Sequence, residues 1–267
     1  MQDNKYYWIW ISQIQAISQE TKKKLLKKYT IHELYNLNIK DVNLKSEYFK
    51  ENNITEGIIT ELTNNKYKEK IEYYAKTLEN MNINIITYYD LEYPSKLKQI
   101  YDYPLYIFCK GNLELLNTKS IAIVGSRNAT NYGRMVAKKI ASGLSNRNIT
   151  IISGGARGID TSAHYGALEI KKPTVLIKGN SLEYIYPPEN KELEEYILQN
   201  KGLLLSEYLF GTRPNKYTFP ERNRLISGLA DGVVVVEAMK NSGALITADL
   251  ALSYNREVYA VPRKYNK

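Results

Sequence analysis

The chain has 267 residues, 43% hydrophobic and 24% charged, enough apolar material for one sizeable core with a smaller second domain, and intrinsic disorder is excluded as the dominant state. Its net charge is +9, from 37 basic and 28 acidic side chains. No apolar run reaches the roughly eighteen residues of a membrane span, and no signal-peptide pattern opens the chain, so a cytoplasmic protein without membrane association is expected.

The first 83 residues read as a helical domain. Residues 20–29 are a Lys-rich amphipathic stretch, Thr30 is placed to cap a helix opening Ile31-His32-Glu33-Leu34, and Thr55 and Asn64 are placed to cap two more. The apolar positions Leu25, Leu26, Leu34, Leu37, Ile58, Leu62 and Ile71 are sparse, so this bundle is expected to lean on the rest of the chain. From Asn84 the period changes. Residues 85–88 and 105–108 read as strands on either side of a Pro-containing crossover, and a regular series follows. Strands at 121–124, 150–152, 174–177, 203–205, 233–236 and 258–261 alternate with helices near 132–146, from 161, 189–199, 221–229 and 243–254. β-branched runs alternating with helices imply a doubly wound, mostly parallel α/β sheet over residues 84–267, with ligands beyond the carboxyl ends of the strands.

Charge and glycine divide the chain at the same place. Residues 1–109 carry 15 Lys, no Arg and 14 acidic residues, whereas residues 110–267 carry 22 basic residues, all nine Arg among them, against 14 acidic ones. Only Gly57 precedes position 110. A surplus of Arg points to a polyanion, because the planar guanidinium matches phosphate oxygens bidentately. The lone Cys109 and the two histidines, His32 and His164, exclude an internal disulfide and a structural zinc site, and neither metal nor cofactor is expected.

Three loops at strand ends carry the candidate chemistry. Gly125-Ser126-Arg127 leads into a helix, where exposed amides plus Arg127 make an anion site. Ser153-Gly154-Gly155-Ala156-Arg157-Gly158-Ile159-Asp160 offers successive amides for phosphate or ribose. Neither loop is G-x-G-x-x-G, and no G-x-x-x-x-G-K-[ST] occurs, so dinucleotide binding and P-loop ATP hydrolysis lose support. Glycines that merely permit tight turns are the competing reading for one loop, and two neighbouring Gly/Arg loops tilt against it. The third loop, Gly211 onward, interleaves Arg213, Lys216, Arg222 and Arg224 with Tyr217 and Phe219, the charge and rings that single-stranded nucleic acid needs. Arg222 or Arg224 also reads as a structural partner for Asp160 or Glu237. Ser162 and His164, two apart on one helix, do not face each other and read as core or capping residues. No carboxylate pair, triad or metal cluster is visible, and no catalysis is inferred.

These motifs in order, with Phe219-Pro220-Glu221-Arg222-Asn223-Arg224 and residues 233–249, resemble the DNA-processing protein A (DprA/Smf) family over about residues 84–262. The helical start is similar to the sterile-alpha-motif-like domain of many members. The resemblance implies an extended Rossmann fold, a homodimer without enzymatic turnover, and a protein that protects single-stranded DNA and loads RecA on it during natural transformation and recombination. Carried over by position, the DNA site comprises Gly125, Ser126, Arg127, Gly154, Gly155, Arg157, Lys216, Phe219, Arg222 and Arg224. Members usually continue from Val-Pro-Gly into another Gly/Asn motif, and some add a winged helix. Here Arg263 follows Val261-Pro262, so both parts are expected to be missing, which leaves dimerisation and part of the RecA surface open. Two other readings stand beside this one. In the first, a nucleotide sensor or nucleoside-monophosphate hydrolase of the lysine-decarboxylase-like group uses the same crevice, although the Pro-Gly-Gly-x-Gly-Thr stretch of that group is absent. In the second, an interaction module has lost DNA binding.

Overall fold

A computed structural model of the chain describes residues 2–240 and 242–262. Arg263, the departure from the family pattern, and Asn241 lie outside the described residues.

The helical part contains α1 (Gln2–Gln13), α2 (Gln19–Lys28), α3 (Ile31–Tyr35), α4 (Glu47–Glu51), α5 (Glu56–Leu62) and α6 (Ile71–Asn80). Thr30 closes a capping box, its hydroxyl accepting from the Glu33 amide while the Glu33 carboxylate accepts from the Thr30 amide, an arrangement that stabilises a helix start by about 1 kcal/mol. Thr55 caps α5, whereas Asn64 caps only a 3-10 turn, Asn65–Tyr67. No cap or period marked α1, yet it supplies the centre of the helical core. Trp8, Ile9, Trp10 and Ile11 are all buried, and four consecutive apolar residues buried on every side leave no 3.6-residue alternation to read.

The remainder contains β1 (Asn84–Thr87), α7 (Ser95–Lys98), β2 (Tyr106–Gly111), β3 (Ser120–Gly125), α8 (Asn131–Ser145), β4 (Thr150–Ser153), α9 (Ile159–Leu168), β5 (Thr174–Lys178), α10 (Lys191–Gln199), β6 (Leu203–Ser206), α11 (Thr218–Leu229), β7 (Gly232–Val236), α12 (Gly243–Ser253) and β8 (Glu257–Ala260). The eight strands form one sheet in the order β1-β2-β6-β5-β4-β3-β7-β8. Six of them, from β6 to β8, are mutually parallel, and β2 runs antiparallel to both β1 and β6. The expected doubly wound, mostly parallel architecture is therefore present.

Alternate residues of each strand feed opposite faces, as period-2 geometry requires. Ala122, Val124, Ile152, Val175 and Ile177 pack beneath α7, α11 and α12. On the other face, Ile123, Ile151 and Val234 pack against α8 and α9. A separate core joins the sheet to the helical part, where Ile85, Tyr106, Phe108 and Leu204 pack with Trp8, Trp10, Leu25 and Phe49. The helical part is thus seated on the sheet by apolar burial. From β3 the chain winds outward through β4, β5 and β6, then returns to β3's other side for β7 and β8. The connections diverge between β3 and β7, and at such a switch point an open α/β sheet leaves a crevice outside its carboxyl ends.

Candidate functional site

A crevice of about 730 Å³ opens at this switch point, walled by the loops after β3 and β7 and by the first turns of α11 and α12. The loop after β3 is anchored tightly. The Ser126 amide donates to the Val236 carbonyl at 3.4 Å, and the Ser126 carbonyl accepts from the Ile159 amide at 3.2 Å. Gly125 has no room for a side chain, since a Cβ would lie 2.6 Å from Ile159 Cγ1 and overlap the Val236 carbonyl. Arg127 projects from this anchored turn, exposed, with its guanidinium 5.8 Å from the Phe219 ring centroid.

The amino end of α8 does not serve as the anion site expected from the sequence, because the protein supplies its own anion there. Thr130 Oγ1 accepts from the Gly133 amide at 3.0 Å, and the Glu237 carboxylate accepts from both the Thr130 amide, at 2.8 Å, and the Thr130 hydroxyl. Glu237 reaches this position from a left-handed backbone at φ 53° after β7, and a carboxylate at a helix amino end is stabilised by the free amides and the helix dipole.

The Gly-rich loop after β4 wraps the buried Asp160, whose carboxylate accepts from the Gly154 and Ala156 amides at 3.2 and 3.3 Å. Burial raises the Asp160 carboxyl above the usual carboxylate range, opposed by the charge of Arg222, these two amides and Arg127. Arg222 enters from α11 and donates through Nη1 to the Gly154 carbonyl at 2.6 Å and to the Ile177 carbonyl. Burial pushes its guanidinium down to about 10, with Asp160 opposing. A Cβ on Gly154 would overlap this guanidinium. Arg222, Gly154 and Asp160 therefore build the floor of the site. Gly155 is held from below by Asn190 Nδ2, 2.5 Å from its carbonyl.

The other candidates separate by place. Lys216 stands exposed on the turn before α11, where Asn215 Oδ1 accepts from the Tyr217 and Thr218 amides at 2.9 and 3.1 Å. Phe219, one turn on, is half-buried and presents its ring to the crevice. Neither Arg127 nor Lys216 has a carboxylate partner among the described residues. Arg157 is exposed at the rim, paired with Glu189 at 2.5 Å. Arg224 is not brought to the crevice. It points to the other side of α11, donating to the Asp102 carbonyl at 2.7 Å and to the Glu207 carboxylate. Ser162 donates to the Gly158 carbonyl at 2.8 Å, and His164 is fully buried beneath β4 and β5. Among the described residues no cluster of three or more His, Cys, Asp or Glu is placed to hold a metal, and no helix is long and apolar enough to cross a membrane.

One wall residue escaped the sequence motifs. Tyr186, in the loop between β5 and α10, packs on Phe219 at a centroid separation of 5.3 Å. The only local signal was an aromatic residue ahead of Pro187-Pro188 in a segment without strand or helix periodicity.

The family model described as DNA recombination-mediator protein A matches residues 84–267, starting at the first residue of β1. Among curated proteins, the chain is similar to the DNA processing protein DprA of Streptococcus pneumoniae, 46% identical over 170 residues that cover 64% of this chain and 60% of that protein. It is 42% identical to the DprA of Bacillus subtilis over 181 residues, covering 67% and 61%. The matched part thus spans about six-tenths of the length of these curated relatives. Among solved structures, the X-ray structure of DprA from Streptococcus pneumoniae aligns with 97% of this chain and 87% of that one, at a TM-score of 0.79 and 33% identity. DNA processing protein A from Helicobacter pylori, described for its single-stranded DNA binding mode, aligns with 69% of this chain and 83% of that one, at a TM-score of 0.62 and 34% identity.

Proposed function

The chain belongs to the DNA recombination-mediator protein A family, and from that premise we propose that it binds single-stranded DNA in the crevice between β3 and β7, protects it and passes it to RecA during transformation or recombination. One observation carries this reading. Arg127 and Lys216, both exposed and both without a carboxylate partner among the described residues, flank the half-buried ring of Phe219 in one concave site. Unpaired cations beside an open aromatic face bind a phosphate backbone and stack a base, whatever its identity. Gly125, Ser126, Gly154, Gly155 and Arg222 shape the wall and floor, Arg157 serves the rim, and Arg224 holds α11 in place.

We read the protein as a binding protein and not an enzyme, because the carboxylates at the crevice and beside it are engaged in building the fold. Asp160 holds the Gly154 and Ala156 amides, and Glu237 closes α8. A homodimer in the cytoplasm, and residues 1–83 as a module docked on residues 84–267, complete the reading.

The deciding experiment is fluorescence anisotropy of a labelled poly-dT oligonucleotide titrated at several salt concentrations beside a duplex of equal length. Salt-sensitive preference for the single strand is expected. Equal affinity for both, or release of free base from a nucleoside monophosphate, would favour a small-nucleotide site instead.

A further inference from the structure

Away from the crevice, the crossover between β1 and β2, residues 88–105, gathers a second cluster of cations and rings, none of which lines the crevice. Tyr88 and Tyr103 stack with centroids 4.7 Å apart and planes inclined by 28°. Lys23 of α2 covers Tyr103, its Nζ 3.6 Å from the ring centroid, and Lys98 of α7 stands 5.0 Å from that of Tyr88. Tyr89 meets Tyr88 edge-on at 5.5 Å and is backed by Trp8 of α1 at 5.8 Å, yet it is 62% exposed. A ring braced from behind and open in front stacks a base with little ordering left to do.

The charges of the cluster suit an anion. Neither Lys23 nor Lys98 has a carboxylate partner among the described residues. Burial and the charge of Arg224 push the Lys23 amine down to about 8, with Asp102, Glu207 and Glu20 opposing, so a phosphate oxygen would stabilise the ammonium. Two of the crossover's three carboxylates are engaged, Asp90 accepting from the Thr87 amide at 2.7 Å and Asp102 from the Tyr254 hydroxyl at 2.6 Å, which leaves the exposed Glu92.

The sheet places this cluster next to the crevice. β2 lies beside β6 with Phe108 opposite Ser206, so the end of the crossover adjoins the loop after β6 that carries Lys216. Arg224 ties α11, whose first turn presents Phe219, to the same crossover through the Asp102 carbonyl at 2.7 Å. A strand leaving the crevice past Lys216 is thereby led toward unpaired cations around an open ring, the combination that holds a phosphate backbone and its bases.

We propose that this cluster is a second contact for the same single strand, where Lys23 and Lys98 neutralise phosphates and Tyr89 stacks a base. The site rests on the single-stranded DNA reading above. It gives residues 1–83 a part in binding, since Trp8 and Lys23 complete the cluster only when the helical part is seated on the sheet.

The test compares a labelled dT strand of about 6 nucleotides, enough for the crevice alone, with one of about 20, by anisotropy at several salt concentrations. On wild type the salt slope should be steeper for the long strand. Lys23→Gln/Lys98→Gln should lower the long-strand slope by about 1.4 and leave short-strand affinity within about twofold. Tyr89→Ala should weaken long-strand binding about tenfold without changing its slope. Equal slopes for the two strands on wild type, or a double variant that loses short- and long-strand affinity alike, would overturn the site. Should the double variant fail to fold, the exposed Lys98→Gln alone should lower the long-strand slope by about 0.7, and no change there overturns the site as well. A wild type that binds neither strand defeats the underlying reading, whereas short-strand binding weakened by Arg127→Ala, with a long-strand slope untouched by Lys23→Gln/Lys98→Gln, defeats this site alone.

Discussion

Removing the charges of Arg127 and Lys216 together should flatten the salt dependence of DNA binding while leaving the fold intact. For single strands the logarithm of the binding constant falls by about 0.7 per decade of salt for each phosphate neutralised. Between about 1 M and about 0.1 M salt, each contact therefore contributes about fivefold, or about 1 kcal/mol, and the pair about 25-fold. The fold should not respond, since both side chains are exposed and neither makes an ion pair among the described residues. Their other contacts are rings, Phe219 at 5.8 Å from Arg127 and Tyr217 at 5.0 Å from Lys216, each worth at most about 1 kcal/mol at such exposure. Anisotropy titrations of Arg127→Ala/Lys216→Ala at four or more salt concentrations give the slope directly. An unchanged slope, or an affinity loss of the same size at every salt concentration, would refute the assignment of these side chains to phosphates.

The buried arginines should behave in the opposite way. Arg222→Ala leaves the Gly154 and Ile177 carbonyls without a donor and Asp160 without its opposing charge, so about 3 kcal/mol or more of stability is lost, read as a thermal midpoint about 10 °C lower; an unaltered midpoint would disprove the structural role. Stability should also fall in mild acid. The Thr174 hydroxyl donates to the Ile151 carbonyl at 2.7 Å, so it accepts from His164 Nδ1, 2.9 Å away, and Nε2 stays an unpartnered lone pair. With burial lowering His164 to about 3 against about 6.5 in an unfolded chain, only the unfolded state takes up the proton between those values. Stability is therefore complete above about pH 6.5 and drops by about 1.4 kcal/mol per unit below it, a slope that urea melts should record and His164→Asn should remove. Lys178 and Glu194 form a buried pair at 2.6 Å, so Lys178→Met alone should cost about 3–5 kcal/mol by stranding Glu194, while Lys178→Met/Glu194→Leu should unfold at a denaturant midpoint near that of wild type.

The parts of this molecule legible in one dimension are those set by neighbours along the chain. Thr30 caps α3 through Glu33, three residues away, and the Val233-Val234-Val235-Val236 run becomes a central strand because β-branched side chains fit a sheet covered on both faces. The position of the crevice follows from the same local information, since alternating strands and helices place their loops at the carboxyl ends. α1 was hidden because its stretch from Trp8 to Ile11 is apolar on every side, and only the other helices and the sheet that cover it make it a core element.

Within the site, the sequence alone determined that all nine Arg lie after residue 110 and that Arg127, Lys216 and Phe219 follow strand ends, Phe219 in the first turn of α11. Which cations remain available to a ligand was decided by pairing across the fold. Arg222 is engaged by a carbonyl 68 positions away and Arg224 by one 122 positions away, and Glu237 crosses 107 positions to close α8. Tyr186 meets Phe219 only because the loops from β5 and β6 end on the same side of the sheet. Spacing along a chain reports secondary-structure geometry over a few residues, whereas these contacts arise when parallel strands bring remote loops to one edge, where burial and charge pairing choose among side chains that the sequence leaves equivalent.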